Sequence, residues 1–227
     1  MTATRTPVVV ATTNPGKLAE FRSLLEGIPV ELVSVADVLG APLTVVEDGQ
    51  TFEQNARKKA QAVADATLML TIADDSGLEV DALGGEPGVR SARYAGERAT
   101  DAENNAALLQ ALSEVPAEGR KARFRCVLCM IDPWSGAEST TILTSGVCEG
   151  EIAASPRGSG GFGYDPLFIV AGGDGRTMAE MSDDEKNAIS HRARALTALR
   201  PKLMELIEER AAVTERVSWA REEPSSP

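Results

Sequence analysis

The sequence predicts an α/β protein, either one large domain or two lobes sharing a cleft, on three observations. The β-branched run Val8, Val9 and Val10 passes through a polar loop into Leu18, Phe21, Leu24 and Leu25 at helical spacing, which reads as strand, loop, helix. A second, Ala-rich helical pattern over residues 51–66 leads straight into a β-rich approach at residues 68–72. Residues 123–132 and 138–146 read as two strands joined by the turn Pro133-Trp134-Ser135-Gly136. At 227 residues, 43% hydrophobic and 25% charged, the chain can bury a core of ordinary globular composition.

The first loop, Thr12-Thr13-Asn14-Pro15-Gly16-Lys17, carries its own helix start. Asn14 suits the N-cap, Pro15 the first helical position, and Gly27 a left-handed stop. Unpaired N–H groups at such a start favour an anion, and Lys17 adds a full charge. The loop therefore reads as a phosphate site or as a well-capped helix with a surface lysine, and it lacks the glycines of a Walker A loop. Residues 30–38 read as a second strand followed by a loop, with Glu47-Asp48-Gly49 after it. Thr51 and Gln54 form a capping-box pattern that starts the next helix, which has Phe52, Ala56, Ala60 and Val63 on one side and Lys59 about two turns inside.

Residues 72–96, IADDSGLEVDALGGEPGVRSARYAG, are the stretch to which the rest of the chain points. The approaching strand delivers Asp74 and Asp75 onto a Ser-Gly turn, so a strand end presenting acids to a cleft is expected. Successive strand residues face opposite sides, so one carboxylate faces the cleft and the other a neighbouring backbone group or cation. Gly77, Gly84, Gly85 and Gly88 suit backbone that turns tightly or lies close to another group. Residues 101–112 then read as an amphipathic helix with Asp101 near its start. Residues 158–166 interleave glycines with Phe162 and Tyr164, which makes either a stacking shelf for a flat ligand or a turn with core aromatics, before a strand at 167–170. Residues 183–199 read as a helix holding His191 and Arg192.

Several function classes are excluded or disfavoured. A formal charge of −11 argues against a duplex DNA binder, so a phosphate-bearing ligand must be met by a few local cations together with a metal. Three cysteines make no disulfide framework, and Cys126 and Cys129 sit in an apolar run where they face opposite sides of a strand, as core residues do. A single histidine cannot build a histidine-rich zinc site, and no GxSxG elbow is present for a serine triad. The N-terminal residues do not read as a signal peptide and no stretch approaches the roughly 20 apolar residues of a membrane span, so a reducing cytoplasm is the expected setting. Residues 212–227 read as a loose tail beyond a single domain at 1–211.

Four segments in order, ATTNPGKLAE, EDGQTFEQNARKKA, IADDSGLEVDALGGEPGVRSARYAG, and GGFGYDPLF with EKNAISHR, resemble the non-standard purine triphosphate pyrophosphatase family, the HAM1-like inosine/xanthosine triphosphate pyrophosphohydrolases. They span residues 11–192. The resemblance implies an elongated central mixed sheet flanked by helices, with a substrate cleft between two lobes. It also implies hydrolysis of ITP, dITP and XTP to the monophosphate and pyrophosphate, a Mg²⁺ requirement and a homodimer, with no nucleic acid or membrane partner. By the same resemblance Thr12, Thr13, Asn14, Pro15, Gly16 and Lys17 cradle the triphosphate and Lys59 reaches the same phosphates. Glu47 and Asp75 match metal ligands, Asp75 also matches the proton acceptor, and Ser76 matches a substrate contact. Phe162, Gly163, Tyr164, Asp165, Lys186, His191 and Arg192 match the base-binding set. Two departures stand out: Gln54 where relatives often carry an acid, and Thr13 where a glycine is common. The rival readings are a pyrophosphatase for other modified nucleoside triphosphates and a catalytically silent nucleotide-binding module; the Nudix box is missing.

Overall fold

The computed structural model describes the backbone of residues 5–134 and 140–222, and side chains as far as residue 213. In chain order the elements are β1 (Thr6–Ala11), α1 (Pro15–Leu24), β2 (Val30–Ser34), α2 (Val35–Leu39), α3 (Phe52–Thr67), β3 (Thr71–Val80), α4 (Asp101–Ala111), β4 (Lys121–Asp132), β5 (Thr140–Ile152), β6 (Phe168–Val170), α5 (Asp183–Ile189) and α6 (His191–Glu222). They build a mixed six-stranded sheet of order β2-β1-β3-β4-β5-β6, flanked by helices. β1 runs parallel to β2 and β3, whereas β3 to β6 form antiparallel pairs.

The register of β3 positions the site. β1 pairs with β3 only from Val9–Thr71 to Ala11–Ala73, while β4 stays paired with β3 across ten residues to Val80. β1 thus stops where Asp74 begins, and the loop at residues 12–14 lies against an interior stretch of β3. This corrects the expectation of a strand end and a Ser-Gly turn: Asp74, Asp75, Ser76 and Gly77 are all in mid-strand. Gly77 serves a close approach, since a Cβ there would lie 2.5 Å from the Gly88 carbonyl.

Apolar side chains pack both faces of the sheet. Val8, Val10, Ile72 and Leu128 meet Phe21 of α1 and Leu199 and Leu203 of α6, while Val9, Ala73 and Cys129 meet Ala56, Ala60 and Val63 of α3. Cys126 joins the first cluster and Cys129 the second, as their spacing along a strand requires. The long strands then carry Leu78, Val80 and Phe124 into a third cluster with Leu108 and Leu112 of the α4 segment and Phe168 of β6.

Local signals place the helix starts correctly. The Asn14 side chain accepts from Lys17 N and that of Thr51 from Gln54 N. Gln54 reaches back to Gln50 N at 2.7 Å, one residue beyond the reciprocal capping-box position. Three elements differ from expectation. Residues 35–39 are a short helix because Ser34 and Asp37 form a complete capping box. The helix expected over residues 183–199 is broken at Ser190, which is extended (φ −65°, ψ 158°) and caps α6 by accepting from Ala193 N. α6 continues to Glu222, past the boundary expected near Ala211. Part of the expected 133–136 turn lies outside the described residues.

The start of α6 lies very close to β5. A Cβ on Gly146 would sit 2.5 Å from Ala195 N and closer still to the His191 carbonyl, both rigid backbone. His191 is buried and stacked on Phe124, with ring centroids 4.8 Å apart and planes 14° from parallel. Burial, and then the charge of Arg192, hold its imidazole well below the usual histidine range, so it is neutral.

Two predictions follow from this packing. Gly146→Ala should cost more than about 2 kcal/mol in urea unfolding, because backbone on both sides must separate; a loss under about 0.5 kcal/mol would contradict the packing. Below pH 6.5 the unfolded chain protonates its histidine while the native state resists, so stability falls as pH drops. Between pH 7.5 and 5.5 wild type should lose about 1 kcal/mol more than His191→Gln, and parallel losses would contradict the neutral buried imidazole.

Candidate active site

Asp74 and Asp75 divide between the two faces of β3. Asp74 is buried with four donors around it: Oδ1 accepts from Lys17 Nζ and from Ser76 Oγ at 2.9 Å, and Oδ2 from Arg192 Nε at 2.9 Å and Cys126 Sγ at 3.1 Å. Burial pushes its carboxyl up, but Arg192 and Lys17 more than reverse that and hold it well below the ordinary range. Asp74 is therefore an ionised structural hub.

Asp75 faces α3. Lys59 Nζ donates to Asp75 Oδ1 and to Glu47 Oε2, each at 2.9 Å, so one ammonium serves two carboxylates. Asp75 Oδ2 is buried and has no partner among the described residues. Burial outweighs the pull of Lys59 and lifts the Asp75 carboxyl to about 6. At Glu47 burial acts in the same direction, but Lys59 prevails and the carboxyl is lowered. Glu47 reaches the site on the extended loop after α2, which Arg93 grips by donating Nη2 to the Glu47 carbonyl at 3.0 Å.

The second end of the site is built around Phe162. A Cβ on Gly16 would lie 2.6 Å from the Phe162 ring, so the glycine lets the start of α1 pack against the ring. Lys186 Nζ sits 4.6 Å from the ring centroid and Arg192 Cζ 5.9 Å. Lys186 donates to Asp165 Oδ2 at 2.6 Å and pairs with Glu20 at 2.7 Å; Glu20 also holds Arg192 Nη1. Asp165 Oδ2 further accepts Phe162 N at 2.9 Å, which ties off the loop. The Tyr164 hydroxyl is committed to the Ser91 carbonyl at 2.8 Å, so this buried ring acts through its body alone.

Two adjoining cavities receive these groups. One, of about 460 Å³, is lined by Thr12, Thr13, Glu47, Lys59, Asp75 and Arg93. The other, of about 110 Å³, is lined by Phe162, Gly163, Tyr164, Asp165, Lys186 and His191, with Arg192 beside them. Asn14, Lys17 and Ser76 line both. Pro15 and Gly16 line neither: Pro15 starts α1 and Gly16 packs on Phe162. A larger cavity of about 650 Å³, beside the 84–90 turn and strands β4 and β5, contains none of the site residues named from the sequence.

Among the described residues no group of three or more His, Cys, Asp or Glu could hold a metal ion. The Glu47 and Asp75 pair nonetheless fits a hard cation that keeps most of its water and completes its shell from a ligand's oxygens. Both already hold an ammonium between them, and Asp75 Oδ2 is an unused buried acceptor.

Three contributors escape the sequence reading. Glu20 lies one helical turn beyond Lys17, so an acid at that spacing was the available signal. Arg93 lies inside the central stretch, and for Asp74 strand alternation left open which of the two acids faces the cleft and whether the other meets backbone or a cation. Of the two departures, Thr13 lines the 460 Å³ cavity and Gln54 accepts from Gln50 N.

The Ham1 family profile matches residues 8–202. The dITP/XTP pyrophosphatase of Geobacter sulfurreducens is 52% identical over 198 residues, covering 87% of this chain and 96% of its own. That of Bacillus subtilis is 51% identical over 197 residues, with the same coverage of 87% and 96%. Among solved structures, a HAM1 protein from Coxiella burnetii superposes with a TM-score of 0.78 at 42% identity over 88% of this chain and 99% of that one. A nucleoside-triphosphatase / dITP/XTP pyrophosphatase from Mycobacterium abscessus gives 0.68 at 46% identity over 86% and 99%. The chain belongs to the Ham1 family.

Proposed function

We propose that the chain hydrolyses ITP, dITP and XTP to the monophosphate and pyrophosphate with Mg²⁺ as cofactor, and so clears non-standard purine nucleotides. One observation carries the reading. A charged cavity and a smaller aromatic one adjoin and share Asn14, Lys17 and Ser76, which matches a triphosphate and a base joined through a sugar. The relatives named dITP/XTP pyrophosphatase support the choice of base.

In this reading the oxygen of a water bonds to the α-phosphorus as that phosphorus loses its bond to the bridging oxygen. Pyrophosphate leaves with the electron pair. Asp75 orients the water and takes its proton, a role for which the buried, unpartnered Oδ2 is suited. Lys17 and Lys59 balance the charge that accumulates on the departing group. Glu47 and Asp75 would hold the Mg²⁺, which when bound neutralises phosphate charge and polarises the reacting oxygens.

Discrimination against adenine follows from the donors that remain. Two of the three Lys186 N–H groups go to Asp165 and Glu20, and three of the five on Arg192 go to Asp74, Glu20 and Ser76. The uncommitted N–H groups suit the C6 oxygen of hypoxanthine or xanthine. The amino group of adenine would set donor against donor, at a cost of about 1–3 kcal/mol per buried unsatisfied group. On the family resemblance the active species is a homodimer, to be checked by sedimentation against the 23.9 kDa of one chain.

The decisive experiment measures pyrophosphate and phosphate released from ITP, XTP, dITP, ATP and GTP. Pyrophosphate should appear from the first three, vanish with EDTA and return with Mg²⁺. Single phosphate release would overturn the α-phosphorus assignment, and binding without turnover would favour a silent nucleotide-binding module. Asp75→Asn should lower kcat by about a thousandfold while nucleotide affinity stays within about tenfold. Near-normal turnover in that variant would remove Asp75 from its role.

A further inference from the structure

The Gly-rich loop that carries Phe162 is tied at Gly160 N to the Ala179 carbonyl, at Phe162 N to Asp165 and through the Tyr164 hydroxyl to the Ser91 carbonyl. Gly158, Gly161 and Gly163 all have positive φ, and a Cβ on Gly163 would meet nothing within 4 Å. At Gly163, beside the ring, the partners come from α4. Asp101 Oδ2 accepts Gly163 N at 2.7 Å, and Asn105 Nδ2 donates to the Gly163 carbonyl at 2.9 Å. Residues 101 and 105 lie one turn apart on one helix face, so two side chains of α4 grip one residue by both its backbone polar groups.

The grip has a firm base. Thr100 and Glu103 form a complete capping box at the start of α4, and Leu108 is buried in the third apolar cluster. Asn104, on the same face, accepts from Ala95 N at 2.9 Å and donates to the Ala92 carbonyl at 3.2 Å. α4 therefore references the Phe162 loop to the segment from which Arg93 holds the Glu47 carbonyl. Asn105 is 7% exposed and its orientation is set by the Gly163 bond, whereas Asp101 is exposed and can be replaced without opening the core.

We propose that Asp101 and Asn105 are positioning residues for base selection: by fixing Gly163 they hold the Phe162 ring at one distance from Lys186 and Arg192, so a mismatched base cannot shift to relieve its clash. The inference rests on the reading of the cleft as a purine triphosphate site. If the ring is free to move, a correct base loses part of its binding, while an adenine amino group can slide away from the opposing donors.

The test compares wild type, Asp101→Leu, Asp101→Asn and Asn105→Leu by steady-state kinetics on ITP and ATP and by amide hydrogen exchange over residues 160–165. Loss of one such hydrogen bond corresponds to a factor of about five. In Asp101→Leu, KM for ITP should rise by about that factor with kcat within about twofold, and the ITP-over-ATP ratio of kcat/KM should fall to match. Amides at 160–165 should exchange several-fold faster in Asp101→Leu and Asn105→Leu. Asp101→Asn loses the charge but keeps an acceptor for Gly163 N, so it should behave as wild type in both readouts. Unchanged exchange in Asp101→Leu overturns the clamp. Equal losses in Asp101→Asn and Asp101→Leu also overturn it, since charge at the helix start would then be the cause. Faster exchange with unaltered ITP-over-ATP selectivity overturns the role in base selection. If wild type itself fails to distinguish ITP from ATP, the purine reading is what falls, and hydrogen exchange still decides whether the clamp exists.

Discussion

The buried carboxylate of Asp74 is the constraint on which the rest of the site depends. A charge taken out of water must be paired and hydrogen-bonded, and removing one partner of such a pair costs about 3–5 kcal/mol. Its partners come from α1 (Lys17), β3 itself (Ser76), β4 (Cys126) and α6 (Arg192), so four separate elements must be in place before it is satisfied. Three of them, Lys17, Ser76 and Arg192, also line the two adjoining cavities. Folding and site assembly are thus the same event at this residue.

The alternation of side chains along β3 then assigns the neighbouring acid to other work. With Asp74 turned toward Arg192, Asp75 must face α3, where Lys59 and Glu47 wait. Both acids are accessible to the loop at residues 12–14 only because β1 ends at Ala11 while β3 continues beside β4. The cleft is a consequence of unequal strand lengths, and no special turn is needed to create it.

A chain of formal charge −11 holds an anionic ligand by local arrangement. Lys17, Lys59, Lys186 and Arg192 each have a carboxylate partner, so the cations neither repel one another nor stand unpaired when no nucleotide is bound. Lysine and arginine carry more N–H groups than these partners use, and in the proposed function that surplus is left for the nucleotide. Glu20 sharpens the effect by tying Lys186 to Arg192 from the helix that also carries Lys17.

What the sequence determined by itself was local or periodic in origin. Asn14 with Pro15, and Thr51 with Gln54, mark helix starts because capping acts within three residues. Asp74 and Asp75 face apart, as do Cys126 and Cys129, because a strand has a period of two. The order of four long segments carried the family. Tertiary structure decided the rest, since hydrogen-bond partners distant in sequence outweigh local propensity. The Ser-Gly pair after Asp75 stays in strand because β4 pairs with it from some fifty residues away, at Cys126 and Arg125. Glu20, Arg93 and Asp101 look like ordinary surface charges in sequence, and only the fold brings them to Arg192, to the Glu47 carbonyl and to Gly163.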